Sequence, residues 1–319
     1  MSDQLLAARH LRVLFPLKGD QAVHAVDDVS FSMRERETLG LVGESGCGKS
    51  TLARAIMHLQ PLTSGQIIWR GVSLNALKPR ELHDRRREFQ MIFQDPLASL
   101  NPRMTVATLV AEPLRALRPN LRAEEVRDIV SNMIGRVGLE PSTLDRYPHE
   151  FSGGQCQRIS IARALVVDPK LLVCDEPVSA LDVSVQAQIL NLLKELQASH
   201  DLSLLFISHD LSVVRHMSDR IMVLYLGRIM EFGSRDRLLD SPRHPYTRAL
   251  ISAAPIPNPE IERTRRAPPL KGEVPSPIDP PSGCVFRTRC PKAAERCTVD
   301  VPDLRPIGPG QNVACHFPN

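Results

Sequence analysis

The stretch Gly43-Glu-Ser-Gly-Cys-Gly-Lys-Ser50, followed by Thr51, holds the most specific chemistry in this chain. Its spacing is G-x-x-x-x-G-K-[ST], the pattern of a loop that wraps phosphate groups. Glycines let such a loop turn successive backbone N–H groups inward, toward phosphate oxygens. Lys49 is spaced to reach the outer phosphates, and the Ser50 hydroxyl to hold Mg²⁺. Thr38–Val42 reads as an apolar strand entering the loop. Ser50 to about Leu59 reads as the helix leaving it, with its positive end aimed at the same phosphates. A glycine-rich turn between two core elements would need neither a lysine nor the paired hydroxyls that follow it.

Other polar residues recur at the ends of apolar runs. Leu171-Leu-Val-Cys-Asp175-Glu176 is a buried-type strand closed by two acids. The first acid has the position of a Mg²⁺-linked carboxylate, and the second that of a water activator. Phe89-Gln-Met-Ile-Phe-Gln94 ends in a glutamine, and Leu204-Leu-Phe-Ile-Ser-His209 in a histidine. Ser152-Gly-Gly-Gln155 opens a helix expected from Gln155 to Val167, with Ser152 as its N-cap. Two glycines leave that helix start bare enough to approach an anion. Phe15 stands ahead of the phosphate loop, where stacking on adenine and a plain strand-end aromatic are equally open.

The elements that must position these groups alternate. Residues from about 8 to 36 and Gly65–Gly71 have the short period of antiparallel strands. Val126, Ile129, Val130, Met133, Ile134 and Val137 lie on one face of a helix, which is packing rather than a site. Pro113 and Pro119 are expected to break the 104–140 helical stretch into pieces. Ile221–Tyr225, Gly227 and Arg228–Phe232 read as strand, turn and strand. Strands alternating with helices imply an α/β fold whose mainly parallel sheet is covered on both faces, with ligands at the carboxyl ends of its strands.

The bulk properties exclude several classes. Across 319 residues the net charge is +4, too small to suggest a nucleic-acid partner. Arg85–Arg87 reads as a solvated face. No apolar run reaches about 18 residues, and the N-terminus lacks a signal pattern, so a cytoplasmic location is expected. From Ser241 to Pro281 prolines crowd the chain. That region is expected to be an extended appendage, neither regular helix nor central strand.

In combination, residues from about 8 to 235 resemble an ATP-binding cassette (ABC) ATPase. The resemblance implies a RecA-like parallel core, an antiparallel β-subdomain and a helical signature subdomain. It makes Gly43, Ser45, Gly46, Cys47, Gly48, Lys49, Ser50 and Thr51 the Walker A loop and Gln94 the Q-loop residue. It makes Ser152, Gly153, Gly154 and Gln155 the signature, Asp175 the Walker B acid and Glu176 the catalytic base. Ser179–Asp182 become the D-loop, His209 the switch histidine, and Phe15 matches the adenine-stacking aromatic. The implied cofactors are ATP and Mg²⁺, the metal held by Ser50 and Gln94 with Asp175 nearby. Each ATP would lie between Walker A of one subunit and the signature of the other. Two residues depart from the pattern. Phe151 replaces the usual signature leucine, and Cys156 stands where arginine is common and is expected to weaken a surface contact near the dimer seam.

Arg243–Leu250, Gly272–Pro277 and Pro281-Ser-Gly-Cys284 are similar to the C-terminal extension of dipeptide and oligopeptide importers. Asp175–Gln188 and Ser99–Arg103 are similar to the F-type subunit of dipeptide permeases. This implies an ABC domain over 1–240 and the extension over 241–319. It also implies a paralogous D-type ATPase partner in a heterodimer, a pair of membrane permease subunits, a periplasmic peptide-binding protein, and a place at the cytoplasmic face of the membrane. Cargo is not legible from such a subunit: nickel, oligopeptides and glycosides stay open. A soluble ABC protein would show two cassettes or a coiled-coil insert, and neither appears. A degenerate, inactive cassette is at odds with intact Lys49, Asp175, Glu176 and His209.

Cys284, Cys290, Cys297 and Cys315 are spaced C-x5-C-x6-C-x17-C. Structural disulfides are disfavoured in a cytoplasmic protein, and zinc usually takes tighter cysteine pairs. Four loosely spaced thiolates suit a [4Fe–4S] cluster, which the importer resemblance also implies. Zinc and free or adventitiously paired thiols stay open.

Overall fold

The computed structural model describes residues 4–253 and 272–319. In chain order it begins with β1 (Gln4–Pro16), β2 (Ala22–Arg34), β3 (Thr38–Val42), α1 (Lys49–Ile56) and β4 (Ser64–Trp69). Next come β5 (Val72–Ser73), α2 (Pro79–Arg85), β6 (Phe89–Ile92), α3 (Pro96–Ser99), α4 (Val106–Leu117), α5 (Ala123–Arg136) and α6 (Gly153–Leu165). Then β7 (Leu171–Asp175), α7 (Val183–His200), β8 (Ser203–Ile207), α8 (Leu211–Met217), β9 (Arg220–Tyr225) and β10 (Arg228–Ser234). The chain continues with α9 (Arg235–Asp240), α10 (Pro245–Ala253), β11 (Arg305–Gly308) and β12 (Gln311–Val313). These elements form two compact units, each drawing on separate stretches of chain.

One unit contains the residues up to Leu5, Arg34–Glu37 and Val72–Phe206. Its strands run in the order β8-β7-β6. β6 pairs parallel to β7, Phe89 opposite Leu171 and Ile92 opposite Cys174. Every residue of β7 and β8 is buried, as a strand covered on both faces requires. Helices α4, α5 and α6 pack together. The apolar stripe of α5 faces inward: Val126, Val130, Met133 and Ile134 are its buried residues, and Val137 caps it. Pro113 does not break the helix as expected. It lies inside α4, with Val110, Ala111 and Leu114 buried around it. Packing of the apolar face outweighs the lost N–H bond. Pro119 lies just beyond α4, as a breaker should.

The other unit contains Leu6–Met33, Thr38–Gly71 and the chain from Ile207 on. β1 and β4 pair antiparallel, with a register shift between Arg9 and Arg12. Of the eight-stranded sheet, the strands in this unit run β11-β12-β10-β9-β3. β3 and β9 are parallel, Leu39 opposite Arg220, and β9 turns through Leu226 and Gly227 into antiparallel β10. Leu226 has φ 44° and Gly227 φ 72°, the left-handed pair that matches the twist of a tight hairpin.

The proline-rich C-terminal part is not merely an extended appendage. Pro245 opens α10, where its missing N–H is no loss, and Tyr246–Ala253 contain no further proline. β12 pairs antiparallel with β10, Glu231 opposite Val313, and so extends the sheet. Pro306 sits in β11 at the sheet's edge, where a proline is tolerated. Five of the eleven prolines of the crowded region fall in 254–271, outside the described residues.

Candidate functional site

The phosphate loop joins β3 to α1 as the spacing predicts, although α1 ends at Ile56 rather than near Leu59. Gly48 forms its N-cap with φ 100°, and a Cβ there would strike the Ala25 carbonyl oxygen. Only glycine fits this turn. The helix start has no side-chain cap and no acid in its first turn. Its N–H groups and dipole therefore favour an anion. Lys49 is buried, and its Nζ donates to the carbonyls of Gly43 at 2.8 Å and Glu44 at 3.0 Å. The ammonium is thus held across the mouth of its own loop. Ser45 and Gly46 are exposed at the tip, while Ser50 and Thr51 are half-buried on the first turn of α1. Cys47 points inward, and burial pushes its thiol up to about 11, so it is an inert packing residue.

His209 belongs to the same unit. The N–H of Ser208 donates to the Leu41 carbonyl of β3 at 3.3 Å, which ties the histidine-bearing turn to the strand entering the loop. Asp210 caps α8 through the N–H groups of Ser212 and Val213. His209 itself is exposed. Phe15 lies near the end of β1 and is 36% exposed. Its ring surface is open to a partner, which suits either expectation for it.

The acids lie in the other unit. Asp175 is the last residue of β7 and is 1% exposed. Glu176 follows with φ 48°, a left-handed conformation that costs a non-glycine residue about 1–2 kcal/mol. Ser179 secures the turn, its N–H and hydroxyl donating to the Glu176 carbonyl at 3.3 and 3.1 Å. The turn directs the Glu176 carboxylate toward Gln94, whose Nε2 donates to Glu176 Oε2 at 3.2 Å. Gln94 is exposed, two residues past the end of β6. Parallel pairing of β6 with β7 brings the glutamine and the acids to one sheet end.

The signature segment lies in this unit too. α6 starts at Gly153, two residues before the expected Gln155. Ser152 is the N-cap: its Oγ accepts from the Gln155 N–H, and Gln155 Oε1 accepts from the Ser152 N–H at 3.0 Å. Gln155 therefore serves the cap. Ser152 and Gly153 are exposed, and Gly154 is buried. A Cβ on Gly154 would sit 2.5 Å from Val185 Cγ1 of α7, so the helix start approaches α7 as closely as only glycine allows. Phe151 carries the Arg146 guanidinium over its ring at 4.5 Å. Asp182 caps α7, and hydrogen bonds from Ser184 and Val185 hold its carboxyl below the usual range. Cys156 corrects its expectation: it is fully buried, with Sγ 3.5 Å from the Pro148 carbonyl, so it cannot change a surface contact directly.

The four late cysteines are all free. Cys284 and Cys297 are buried, Cys290 and Cys315 half-buried. Burial pushes the Cys284 thiol up to about 11, and the charges of Cys297, Cys315 and Cys290 add to the shift, so the four lie within electrostatic reach. Among the described residues, no three His, Cys, Asp or Glu side chains are grouped to hold a metal ion. The set does not fit a single zinc, whose bond of about 2.3 Å draws sulfurs close together. Its donor chemistry, four thiols and no carboxylate, is of the kind iron–sulfur clusters take.

Sequence reasoning missed Tyr246 and Arg289, which both bond to the phosphate loop at Glu44. Nothing local marks them, because they lie 202 and 245 residues from their partner.

The ABC transporter family model matches residues 26–179, and the model for the C-terminal region of oligopeptide/dipeptide transporters matches 230–297. The chain is 54% identical to the oligopeptide transport ATP-binding protein OppF of Haemophilus influenzae, over 98% of this chain and 97% of the relative. It is 56% identical to OppF of Escherichia coli, over 94% of this chain and 92% of the relative. Among solved structures, it resembles the dimeric ATP-binding cassette MJ0796 in a post-hydrolysis state bound to ADP and Pi. The TM-score is 0.66 with 29% identity, covering 72% of this chain and 99% of that one. The CbiO1 structure of Clostridium perfringens, part of an ABC transporter complex, gives the same TM-score at 27% identity, covering 75% of this chain and 92% of that one.

Proposed function

Because this chain belongs to the ABC transporter family, as an ATP-binding subunit of the oligopeptide branch, we propose that it hydrolyses ATP across a pair of such subunits and so drives peptide import. The observation that carries the mechanism is the Gln94–Glu176 hydrogen bond at the end of β7. It sets a carboxylate beside an amide of the kind that holds Mg²⁺. Phosphoryl transfer to water needs positioning and charge neutralisation rather than a covalent intermediate. Lys49 and the loop amides take the charge that develops on the phosphates. Ser50 and Gln94, with Asp175 nearby, would hold Mg²⁺, which would supply further neutralisation. Glu176 orients the attacking water and accepts its proton, and His209 braces the γ-phosphate. Phe15 stacks on the adenine.

The exposed N-terminus of α6 serves a second subunit. Ser152 and Gly154 donate to the γ-phosphate bound by the partner, with Gly153 and Gln155 shaping the turn. ATP adds contacts only in the closed pair, so binding closes it and hydrolysis releases it. The partner is a paralogous D-type ATPase, and the pair acts on two membrane permease subunits fed by a periplasmic peptide-binding protein. Among the described residues no helix is long and apolar enough to cross a membrane. Attachment is peripheral, at the cytoplasmic face. The division of labour falls near residue 240, with the ATPase before it and the importer-type extension after it. Cys284, Cys290, Cys297 and Cys315 hold a [4Fe–4S] cluster with a structural role.

The test is ATP hydrolysis by the assembled transporter in membranes. Phosphate release should rise when peptide-loaded binding protein is added. Release that ignores peptide would overturn the import reading.

A further inference from the structure

Glu44 is the second residue of the phosphate loop, and three separate groups hold it. Its backbone N–H donates to Tyr246 Oη at 3.0 Å. Its carboxylate accepts from Arg289 twice, Nη1 to Oε2 at 2.6 Å and Nη2 to Oε1 at 3.1 Å. Its own carbonyl accepts from Lys49 Nζ at 3.0 Å. The residue that fixes Lys49 is thus itself fixed by the C-terminal part of the chain.

Both holders are buried. The Arg289 side chain is only 7% exposed, and that of Glu44 24%. A guanidinium so buried needs its counter-charge, and a planar fork on a carboxylate sets direction as well as distance. Arg289 Nε has no hydrogen-bond partner, and the guanidinium also lies 5.9 Å from the Tyr225 ring centroid. Tyr246 is fully buried in a ring cluster, with centroids 4.7 Å from Tyr225 and 5.3 Å from Phe286. Phe286 in turn lies three residues before Arg289, whose N–H donates to the Phe286 carbonyl at 3.1 Å. Tyr246 and Arg289 are therefore parts of one packed block.

We propose that Arg289 and Tyr246 are positioning residues for ATP. Acting through Glu44, they lock the phosphate loop in the shape that presents Lys49 and the loop amides to the phosphates. The inference rests on the nucleotide reading given above and assigns the C-terminal extension a part in the ATP site. Removing either anchor lets the loop sample shapes that grip phosphate poorly. Contacts to adenine and ribose are untouched.

Binding of MgATP, MgADP and AMP to the full chain tests this, with AMP measured by competition. Arg289→Met should weaken MgATP and MgADP about tenfold, equivalent to about 1.4 kcal/mol, and leave AMP nearly unchanged. Arg289→Lys keeps the charge but loses the fork, and should recover only part of the affinity. Tyr246→Phe keeps the ring cluster and loses one acceptor. It should weaken MgATP about threefold and remains testable if the arginine variants fail to fold. Glu44→Gln and Arg289→Met together should cost less than the sum of their separate effects. Unchanged MgATP affinity in folded Arg289→Met and Tyr246→Phe overturns the proposal, as does a parallel loss for MgATP and AMP, which would mark general loosening. A parent chain that binds no MgATP sinks the nucleotide reading itself.

Discussion

Glu176→Gln separates chemistry from binding in this protein. The replacement has nearly the same shape, and its amide oxygen can still accept the hydrogen bond that Gln94 donates at 3.2 Å. The left-handed backbone at 176 costs glutamine about what it costs glutamate, since neither is glycine or asparagine. Gln94 is exposed, so swapping a charged for a neutral acceptor changes stability by less than about 1 kcal/mol. What the amide cannot do is take a proton from water. Loss of a general base costs about 10²–10⁴ in rate, or about 2.7–5.4 kcal/mol at 1.36 kcal/mol per decade. Steady-state phosphate release by the assembled transporter reads this directly, and bound nucleotide is measured in the same sample. The expected result is slow turnover with ATP retained. Turnover within about threefold of the parent, with ATP bound, would show that another group activates the water, and the assignment of Glu176 would fall.

Three other outcomes follow from particular contacts. Gly154→Ala should destabilise the chain by about 1–3 kcal/mol, because its Cβ meets Val185 at 2.5 Å, and thermal unfolding should show recovery when Val185→Ala is added. His244 is fully buried, with Nδ1 accepting the Tyr246 N–H at 3.0 Å, and burial pushes its pKa down to about 3. The unfolded chain binds this proton near pH 6.5 and the native chain does not, so stability is full above pH 6.5 and falls as pH drops toward 3. From pH 6 to pH 5 the parent should lose about 1 kcal/mol more than His244→Asn, read from urea midpoints. Equal losses would remove His244 from that role. Protein purified without oxygen should contain iron and acid-labile sulfide, and Cys297→Ser should abolish both; zinc or no metal would refute the cluster.

Legibility followed range. The phosphate loop was readable because Gly48, Lys49 and the Gly43 and Glu44 carbonyls that hold Lys49 lie within a few residues of one another. Ser152 as an N-cap was readable for the same reason, and β7 because a strand buried on both faces must be apolar throughout. Pro113 misled because local propensity ignored the apolar face that α4 buries. Cys156 misled because its neighbour, Pro148, is fixed by a fold and not by a motif. In the extension, proline content concealed the proline-free run Tyr246–Ala253 and the three-residue strand β12.

By itself, then, the sequence determined the chemistry: a glycine loop, a lysine, hydroxyls, a strand-end acid pair and a capped helix start, each specified by residues close in the chain. Only the tertiary structure decided what steadies that chemistry. Arg289 and Tyr246 reach Glu44 across more than two hundred residues, and such a contact leaves no period or spacing to read. The physical reason is that backbone geometry and capping are satisfied locally. A buried charge instead finds its partner wherever the folded chain brings one within hydrogen-bond reach.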